Sequence, residues 1–410
     1  MARLNRPSAS TLPQPFRPNR GADGHAKGAS VALFGEWGFG NLGDQAILEG
    51  AQRFVQLTGS DVAPFVLGSL LPYEAQHQRS GVDGVQRSRK AAAHARRLAR
   101  TPLRPLRNRI RSRALNPILE ECRAIVIGGG ALLDDTRNHF TDSLLRVARL
   151  SRVLDKPLLC LGCGSVGPWS DRGKRQLGAF GRSCAYIAVR DAGTAAQLSE
   201  VLGRNVDLFG DFAMSVPGSG PSRLARQHAN TSLALNVAGA RGLGRPEQVL
   251  LEARLVEIAR AWAAGANGRR VTVFTTGVPG DNAAALRLVR QIEDLSPAVL
   301  MPTQLVALER VIKQSDVLVA VRLHAAILSL ELGTPFVGVA TGPKLSNFFG
   351  TIGLERCLVS ATSEDAVGRV IALLDREAIA PSEGLNLLPL LRARSEATRQ
   401  LRLIANPEPR

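Results

Sequence analysis

Short apolar runs rich in β-formers alternate with longer stretches of helical spacing along nearly the whole chain. The alternation stops once and then restarts. In the first half the runs are "SVALFG" (30–35), "APFVLG" (63–68), "AIVIGGG" (124–130), "PLLCLGCG" (157–164), "YIAVRD" (186–191) and "VDLFGD" (206–211). Helical spacing fills 44–57, 87–113, 137–154, 171–182 and 192–202. Uninterrupted apolar strands separated by helices are the pattern of a parallel sheet covered on both faces. The break is "SVPGSGPSRLARQHAN" (215–230), which is loose, polar and rich in Gly and Pro, as a linker is. Strands then resume at 231–239, 270–277, 298–302, 316–322, 335–340 and 357–360, with helices at 246–264, 281–294, 303–314, 323–332, 344–351 and 363–377.

The expectation is an α/β protein of two Rossmann-like, doubly wound domains facing a cleft. Residues 30–214 form the first and 231–385 the second, joined by the linker 215–230. Residues 1–29 form a disordered basic tail. Residues 386–410 form a terminal amphipathic helix and tail that pack back across the first domain. Ligands of such sheets sit at the carboxyl ends of the strands, so chemistry is sought where strands run into Gly-rich turns.

The first such turn, "GEWGFGNLGDQAIL" (35–48), spells G-x-G-x-x-G with Gly38, Gly40 and Gly43. A dinucleotide site needs an acid at the end of the second strand for the ribose. Asp61 precedes that strand, and no acid follows until Glu74. The turn therefore argues against a nicotinamide and for backbone N–H groups offered to an anion or polar ligand, with Asn41 and Asp44 beside them. "VIGGGALLDD" (126–135) repeats the design with Gly128, Gly129 and Gly130, followed by Asp134 and Asp135. It reads either as a tight turn with a helix cap or as a carboxylate that meets a sugar hydroxyl. "GCGSVGPW" (162–169) is a third such loop. Arg190 and Asp191 leave the strand of "AVRDAGTAAQL" (188–198), as a structural ion pair or as ligand contacts. The strongest signal is "DVLVAVRLHAAILSLELGTPFVG" (316–338), where Arg322 and His324 sit at a strand end beside a helix N-terminus. Guanidinium, imidazole and helix dipole together suit an anion. "TGPK" brings Lys344 to the next strand end.

The net charge of +17 points away from the strands. Residues 79–113 hold twelve Lys/Arg against one acid, Asp83, and the first 28 hold five against Asp23. The segment 79–113 reads as a solvated basic insertion, or as a contact with anionic lipid or a pyrophosphate-linked carrier. Nucleic acid is not expected, because no aromatic residues interleave the charges for base stacking. Five cysteines, including the Cys160-x-x-Cys163 pair, lack a second pair for zinc or a thioredoxin-like context and read as buried thiols. The absence of a signal-like apolar run in the first residues predicts a cytoplasmic chain, with peripheral contact at the inner membrane face as the functional reading of 79–113.

In order along the chain, "GFGNLGDQAIL" (38–48), "VIGGGALLDD" (126–135), "GCGSVGP" (162–168), "VRDAGTAAQL" (189–198), "GDFA" (210–213), "RLHA" (322–325) and "GPK" (342–344) resemble the polysaccharide pyruvyl transferase family. The resemblance spans residues 31–360. It implies a GT-B-like fold and transfer of pyruvate from phosphoenolpyruvate onto a sugar, with a ketal bridging two hydroxyls. The acceptor it implies is a saccharide, polymeric or lipid-linked. The family's Arg-Leu-His motif falls on Arg322, Leu323 and His324, whose Arg and His hold phosphoenolpyruvate and assist the chemistry. Phe212 stands where the family has proline, and Ala131 at its fourth glycine. On this reading His324 is the acid or the group that protonates the phosphate, Arg322 acts with it, and Asp44 and Asp134 are alternative bases. Gly40, Asn41, Gly129, Gly130, Arg190, Leu323 and Lys344 bind substrate. No metal and no cofactor beyond the donor are called for, since cationic side chains can assist phosphate loss. Two rivals stand beside it. One is a nucleotide-sugar glycosyltransferase of the same architecture, although Leu328 occupies the place of that family's donor glutamate. The other is a noncatalytic carrier-binding relative.

Overall fold

The computed structural model of the chain describes residues 30–37, 40–73, 117–136, 138–214, 231–239, 244–375 and 385–405. The tail 1–29, the basic segment 79–113 with its expected helix, and the linker 215–230 lie outside the described residues.

The first sheet has the order β3-β2-β1-β4-β5-β6-β7. Its strands are β1 (Ser30–Gly35), β2 (Asp61–Val66), β3 (Leu71–Pro72), β4 (Cys122–Gly128), β5 (Leu158–Cys163), β6 (Tyr186–Val189) and β7 (Asp207–Leu208). All neighbours pair in parallel except the two-residue edge strand β3, which is antiparallel to β2. The helices are α1 (Leu42–Gln56), α2 (Pro117–Glu121), α3 (Asn138–Val153), α4 (Asp171–Gly181) and α5 (Ala192–Leu202). Strands β1, β4 and β5 are buried almost end to end, which is why they read as unbroken apolar runs.

The second sheet, β10-β9-β8-β11-β12-β13, is parallel throughout. It comprises β8 (Ser232–Asn236), β9 (Arg270–Phe274), β10 (Ala298–Leu300), β11 (Val317–Ala320), β12 (Phe336–Ala340) and β13 (Leu358–Ser360). Its helices are α6 (Arg245–Ala264), α7 (Pro279–Gln291), α8 (Leu305–Gln314), α9 (Leu323–Leu332), α10 (Pro343–Ile352) and α11 (Ala366–Asp375). A last helix, α12 (Leu388–Ala405), returns to pack against β4, β6 and β7 of the first sheet. The two sheets share one winding. In each, the order reverses between the first strand and the fourth, β1 and β4 in one, β8 and β11 in the other. Those reversals are where doubly wound sheets open a crevice.

The seam between the sheets is packed. One apolar cluster runs from Leu33, Ile47 and Phe212 through Ala234, Phe274 and Leu318 to Phe349, and so belongs to both halves. Each sheet also has a core of its own on its outer face. Polar contacts close the seam further. The Leu42 amide donates to the Thr276 carbonyl at 2.9 Å, and the Ala192 amide donates to Thr351 Oγ1 at 2.8 Å. Among the described residues, no helix is long and apolar enough to cross a membrane. All five cysteines are free and buried, as expected.

Candidate active site

The two strand-order reversals face each other, and the first turns of α1 and α9 meet between them. Asn41 caps α1, its side chain accepting from the Gly43 amide at 3.1 Å. Asp44 follows in the first turn. Across the seam, Arg322 occupies the cap position of α9 and His324 is the second residue of that helix. The His324 ring lies directly on the backbone of α1: a Cβ placed on Gly43 would fall 2.1 Å from its Nδ1. The third glycine of the G-x-G-x-x-G turn thus makes room for an imidazole from the other half of the chain. The second, Gly40, has φ +78° and meets Gly277, where a Cβ would come 2.5 Å from the Gly40 carbonyl oxygen. Both serve the seam.

On its far side His324 faces Asp211. Nε2 lies 3.8 Å from Asp211 Oδ2, an ion-pair distance for a protonated ring and too long for a hydrogen bond. Asp211 is fully buried, its Oδ1 accepts from the Ala213 amide at 2.9 Å, and Arg190 Nη1 lies 3.9 Å from Oδ2. Burial opposes ionisation of Asp211. His324, Arg190 and the Ala213 N–H outweigh it and hold the carboxyl below the usual range. Asp44 goes the other way. Burial raises it, Asp211 adds to the rise, and His324, Asn41 and Lys344 only partly counter it. The two carboxyls flanking His324 are therefore driven apart, one towards the charged form and one towards the neutral form. That is how paired acid and base roles are separated.

The cations around this cluster differ. Arg190 is buried, donates from Nε to Asp191 at 3.1 Å, and fits only because Gly164 has no side chain. Asp191 also caps α5 through the Thr194 amide at 2.9 Å. Lys344, in the first turn of α10, is exposed, and its charge reaches Asp44. Arg322 is held in a fork. Its Nε donates to Asp281 Oδ2 at 3.0 Å, its Nη2 donates to Oδ1, and its amide donates to Asn236 Oδ1 at 2.8 Å. Asp281 is buried and also accepts from the Gly239 amide at 2.7 Å. Among the described residues, Arg190 Nη2, Asp211 Oδ2 and His324 Nε2 have no hydrogen-bond partner. A guanidinium donor, a carboxylate acceptor and an imidazole nitrogen are thus left unfilled within one buried cluster.

The structure brings together His324, Asp44, Arg190 and, through its charge, Lys344. Other expected site residues go elsewhere. Asp134 closes its own loop, accepting from the Thr136 amide at 3.0 Å and its hydroxyl at 2.9 Å. It makes no described contact with the cluster. The Leu323 side chain is buried in the shared apolar cluster and offers a ligand only its backbone. Gly129 (φ +73°) and Gly130 (φ +72°) turn the loop after β4, and a Cβ on Gly129 would fall 2.0 Å from Ile47 Cγ2 of α1. Gly129 is needed for close packing, whereas a Cβ on Gly130 would meet nothing nearer than 4.0 Å and its left-handed φ is what favours glycine. Phe212 is buried, its ring packs edge-on to Phe54 and Phe209, and it sits where Gly128 leaves space. The residues the sequence reading missed are Asp281 and Asn236, which fasten Arg322. Asn236 is the last residue of β8 and Asp281 lies in the first turn of α7. Asp211 was visible only through its motif.

The family model of polysaccharide pyruvyl transferases matches residues 41–343. The chain belongs to the polysaccharide pyruvyl transferase family. The match begins at the cap of α1 and ends at the start of α10, so it encloses Asp44, Arg190, Asp211 and His324 and stops one residue short of Lys344. Among solved structures, the chain is similar to Staphylococcus aureus MnaA in complex with UDP, at 10% identity and TM-score 0.55, covering 92% of this chain and 96% of that one. It is also similar to the UDP-GlcNAc 2-epimerase of Neisseria meningitidis bound to UDP-GlcNAc, at 9% identity and TM-score 0.54, covering 91% and 99%. At these identities the likeness speaks for the fold, a two-domain GT-B-like α/β architecture. No curated protein sequence matches the chain.

Proposed function

We propose that the chain transfers pyruvate from phosphoenolpyruvate onto a sugar of a cell-surface polysaccharide or its lipid-linked precursor, forming a ketal across two hydroxyls. The observation that carries this reading is His324 set between Asp44 and Asp211, whose environments drive them to opposite protonation states, with cations on either side. Phosphoenolpyruvate brings a carboxylate and a phosphate, which suit Arg322, Lys344, Arg190 and the N-termini of α9 and α10.

The reaction needs a proton on the methylene carbon of the donor, which leaves C2 electrophilic. One sugar hydroxyl adds to C2 and loses its proton. Phosphate then leaves with the C–O bonding pair, and the second hydroxyl adds and loses its proton to close the ring. His324 supplies the first proton, and Asp211 holds the ring and balances its charge. Asp44, whose raised pKa makes its carboxylate form a stronger base, takes a proton from the attacking hydroxyl in that form. Asp134 has no part in this scheme, because its carboxylate is spent on Thr136. The basic segment 79–113 would hold a lipid-linked acceptor at an anionic membrane surface.

The test is to incubate the full-length protein with labelled phosphoenolpyruvate, a UDP-sugar and candidate glycans. Label entering the glycan with release of phosphate is expected. Sugar transfer from the UDP-sugar alone would overturn the proposal. His324→Ala should reduce pyruvyl transfer by about 10²–10⁴-fold, the usual contribution of a positioned acid, while the protein stays folded. Near-normal activity in that variant removes His324 from the mechanism.

A further inference from the structure

The loop that carries Asp211 is held from behind by a residue far outside the motifs. Between β7 and the point where the first half ends, residues 209–214 turn sharply, with Gly210 at φ +79°. On one side the loop lies against α1, where a Cβ on Gly50 would fall 1.8 Å from the Phe212 carbonyl oxygen. On the other side lies α12. Arg394 of that helix donates to three carbonyls of the loop: Nε to Phe209 at 3.0 Å, Nη1 to Met214 at 2.9 Å and Nη2 to Asp211 at 2.6 Å. Its guanidinium also sits 4.9 Å from the Phe209 ring centroid. Leu390, one turn earlier, fills the space that Gly210 leaves open.

Anchoring the helix does not require this arginine. Leu390, Ala393, Ala397 and Leu401 form one apolar face of α12 and are all buried in the shared cluster. A buried guanidinium is costly: desolvation lowers its pKa to about 10, against the pull of Glu331 and Asp211. It stays charged at neutral pH. An apolar side chain of similar volume would serve stability as well or better. What an apolar side chain lacks is a rigid fork that pins three carbonyls at once, and lysine, with a single flexible ammonium, lacks it too.

We propose that Arg394 is a positioning residue. Through the backbone of 209–214 it sets the direction of the Asp211 carboxylate and, with it, the orientation of the His324 ring. The C-terminal helix is thereby part of the active site without touching substrate. The catalytic meaning of this rests on the reading of His324 as the proton donor. The geometric claim does not.

The test uses full-length protein carrying Arg394→Lys or Arg394→Met, with Asp211→Asn as reference. The chain has six histidines, so imidazole signals in ¹H–¹⁵N spectra can be followed one by one. In Arg394→Lys the His324 signals should move in the same direction as in Asp211→Asn, while those of His139 stay in place. For pyruvyl transfer, kcat should fall about 10–100-fold, as for a misplaced catalytic group, with KM for phosphoenolpyruvate little changed. Unmoved His324 signals in a folded variant overturn the proposal. Failure of both variants to fold overturns it as well, since Arg394 would then be a structural residue only. If the wild type transfers no pyruvate yet the His324 signals still respond, the proposed function fails and the positioning role stands.

Discussion

Adding one methyl group at Gly43 separates stability from activity. Gly43 lies in the first turn of α1, and its φ is not among the positive ones. The backbone therefore accepts alanine, and relief of glycine's entropy cost favours the helix by about 0.5–1 kcal/mol. Against this, the new Cβ would lie 2.1 Å from His324 Nδ1, 2.5 Å from Cγ and 2.9 Å from Cβ. Normal carbon contacts are about 3.5–4 Å, so the ring must retreat by about 1 Å or more and its own Cβ by roughly 0.6–1 Å. Overpacking of this kind costs about 1–3 kcal/mol. The net change in stability is then modest, about 0–2.5 kcal/mol. The displacement, however, falls wholly on the proposed proton donor. A misplacement of about 1 Å at a reacting group costs about 100-fold in rate. Gly43→Ala should thus melt within a few degrees of wild type and lose about 100-fold or more in kcat. Thermal unfolding and release of phosphate at saturating phosphoenolpyruvate measure the two. A variant with wild-type kcat would refute the argument, because the ring would not need the place the structure gives it. A loss of stability well beyond this range would show instead that the seam cannot yield around His324.

The two carboxyls give opposite pH signatures. Asp44 is raised by burial, so its charged form burdens the fold as pH climbs above the ordinary carboxylate range. Asp44→Asn should therefore raise the melting temperature at pH 7, with the gain gone by about pH 4, and should lose pyruvyl transfer. Equal melting temperatures across that range would contradict the assignment. Asp211 is lowered despite its burial, through His324, Arg190 and the Ala213 amide. Its contribution is present above the unfolded value and lost as pH falls through the folded one. Asp211→Asn should be less stable than wild type at pH 7, with the two converging below about pH 4; a gap that persists in acid would mean the loss is one of packing.

The strands were legible because a strand buried on both faces must be apolar along its buried length, and β1, β4, β5, β11 and β12 are, with Ser30 of β1 and Arg123 of β4 near the strand starts as exceptions. The edge strand β3 and the five-residue α2 were missed, being too short to show a period. The Arg322–His324 pair was legible as a charged break at the end of a buried strand. Asp134 and Asp211 were harder to rank, since each stands in a glycine-containing turn a few residues past a strand end. A local signal did exist: Thr136 two residues after Asp134 is the spacing of an Asx turn, and the structure uses it so. Nothing local distinguishes Asp211, whose partner His324 is more than a hundred residues away. Arg394 is hidden for the same reason, in a helix that reads only as amphipathic.

The glycines are where the fold adds most to a local reading, and α1 shows why. Gly43, Ala46, Ile47, Gly50, Ala51 and Phe54 recur at helical spacing and form one face of that helix. Gly43 admits His324, Ile47 occupies the space left by Gly129, and Gly50 admits the Phe212 carbonyl. The last two contacts bring the loops after β4 and β7 onto α1, and the first brings in the second half of the chain. A small-residue stripe on one helix thus draws two loops and a foreign helix end to within backbone distance. Only then do Asp44, Asp211 and His324, contributed by three separate elements, share one buried site. A G-x-G-x-x-G turn that holds a dinucleotide needs its glycines for the approach of a pyrophosphate. Here the same small size is used for the approach of protein. The two uses are indistinguishable in a linear sequence, because what arrives at a glycine is decided by the fold as a whole.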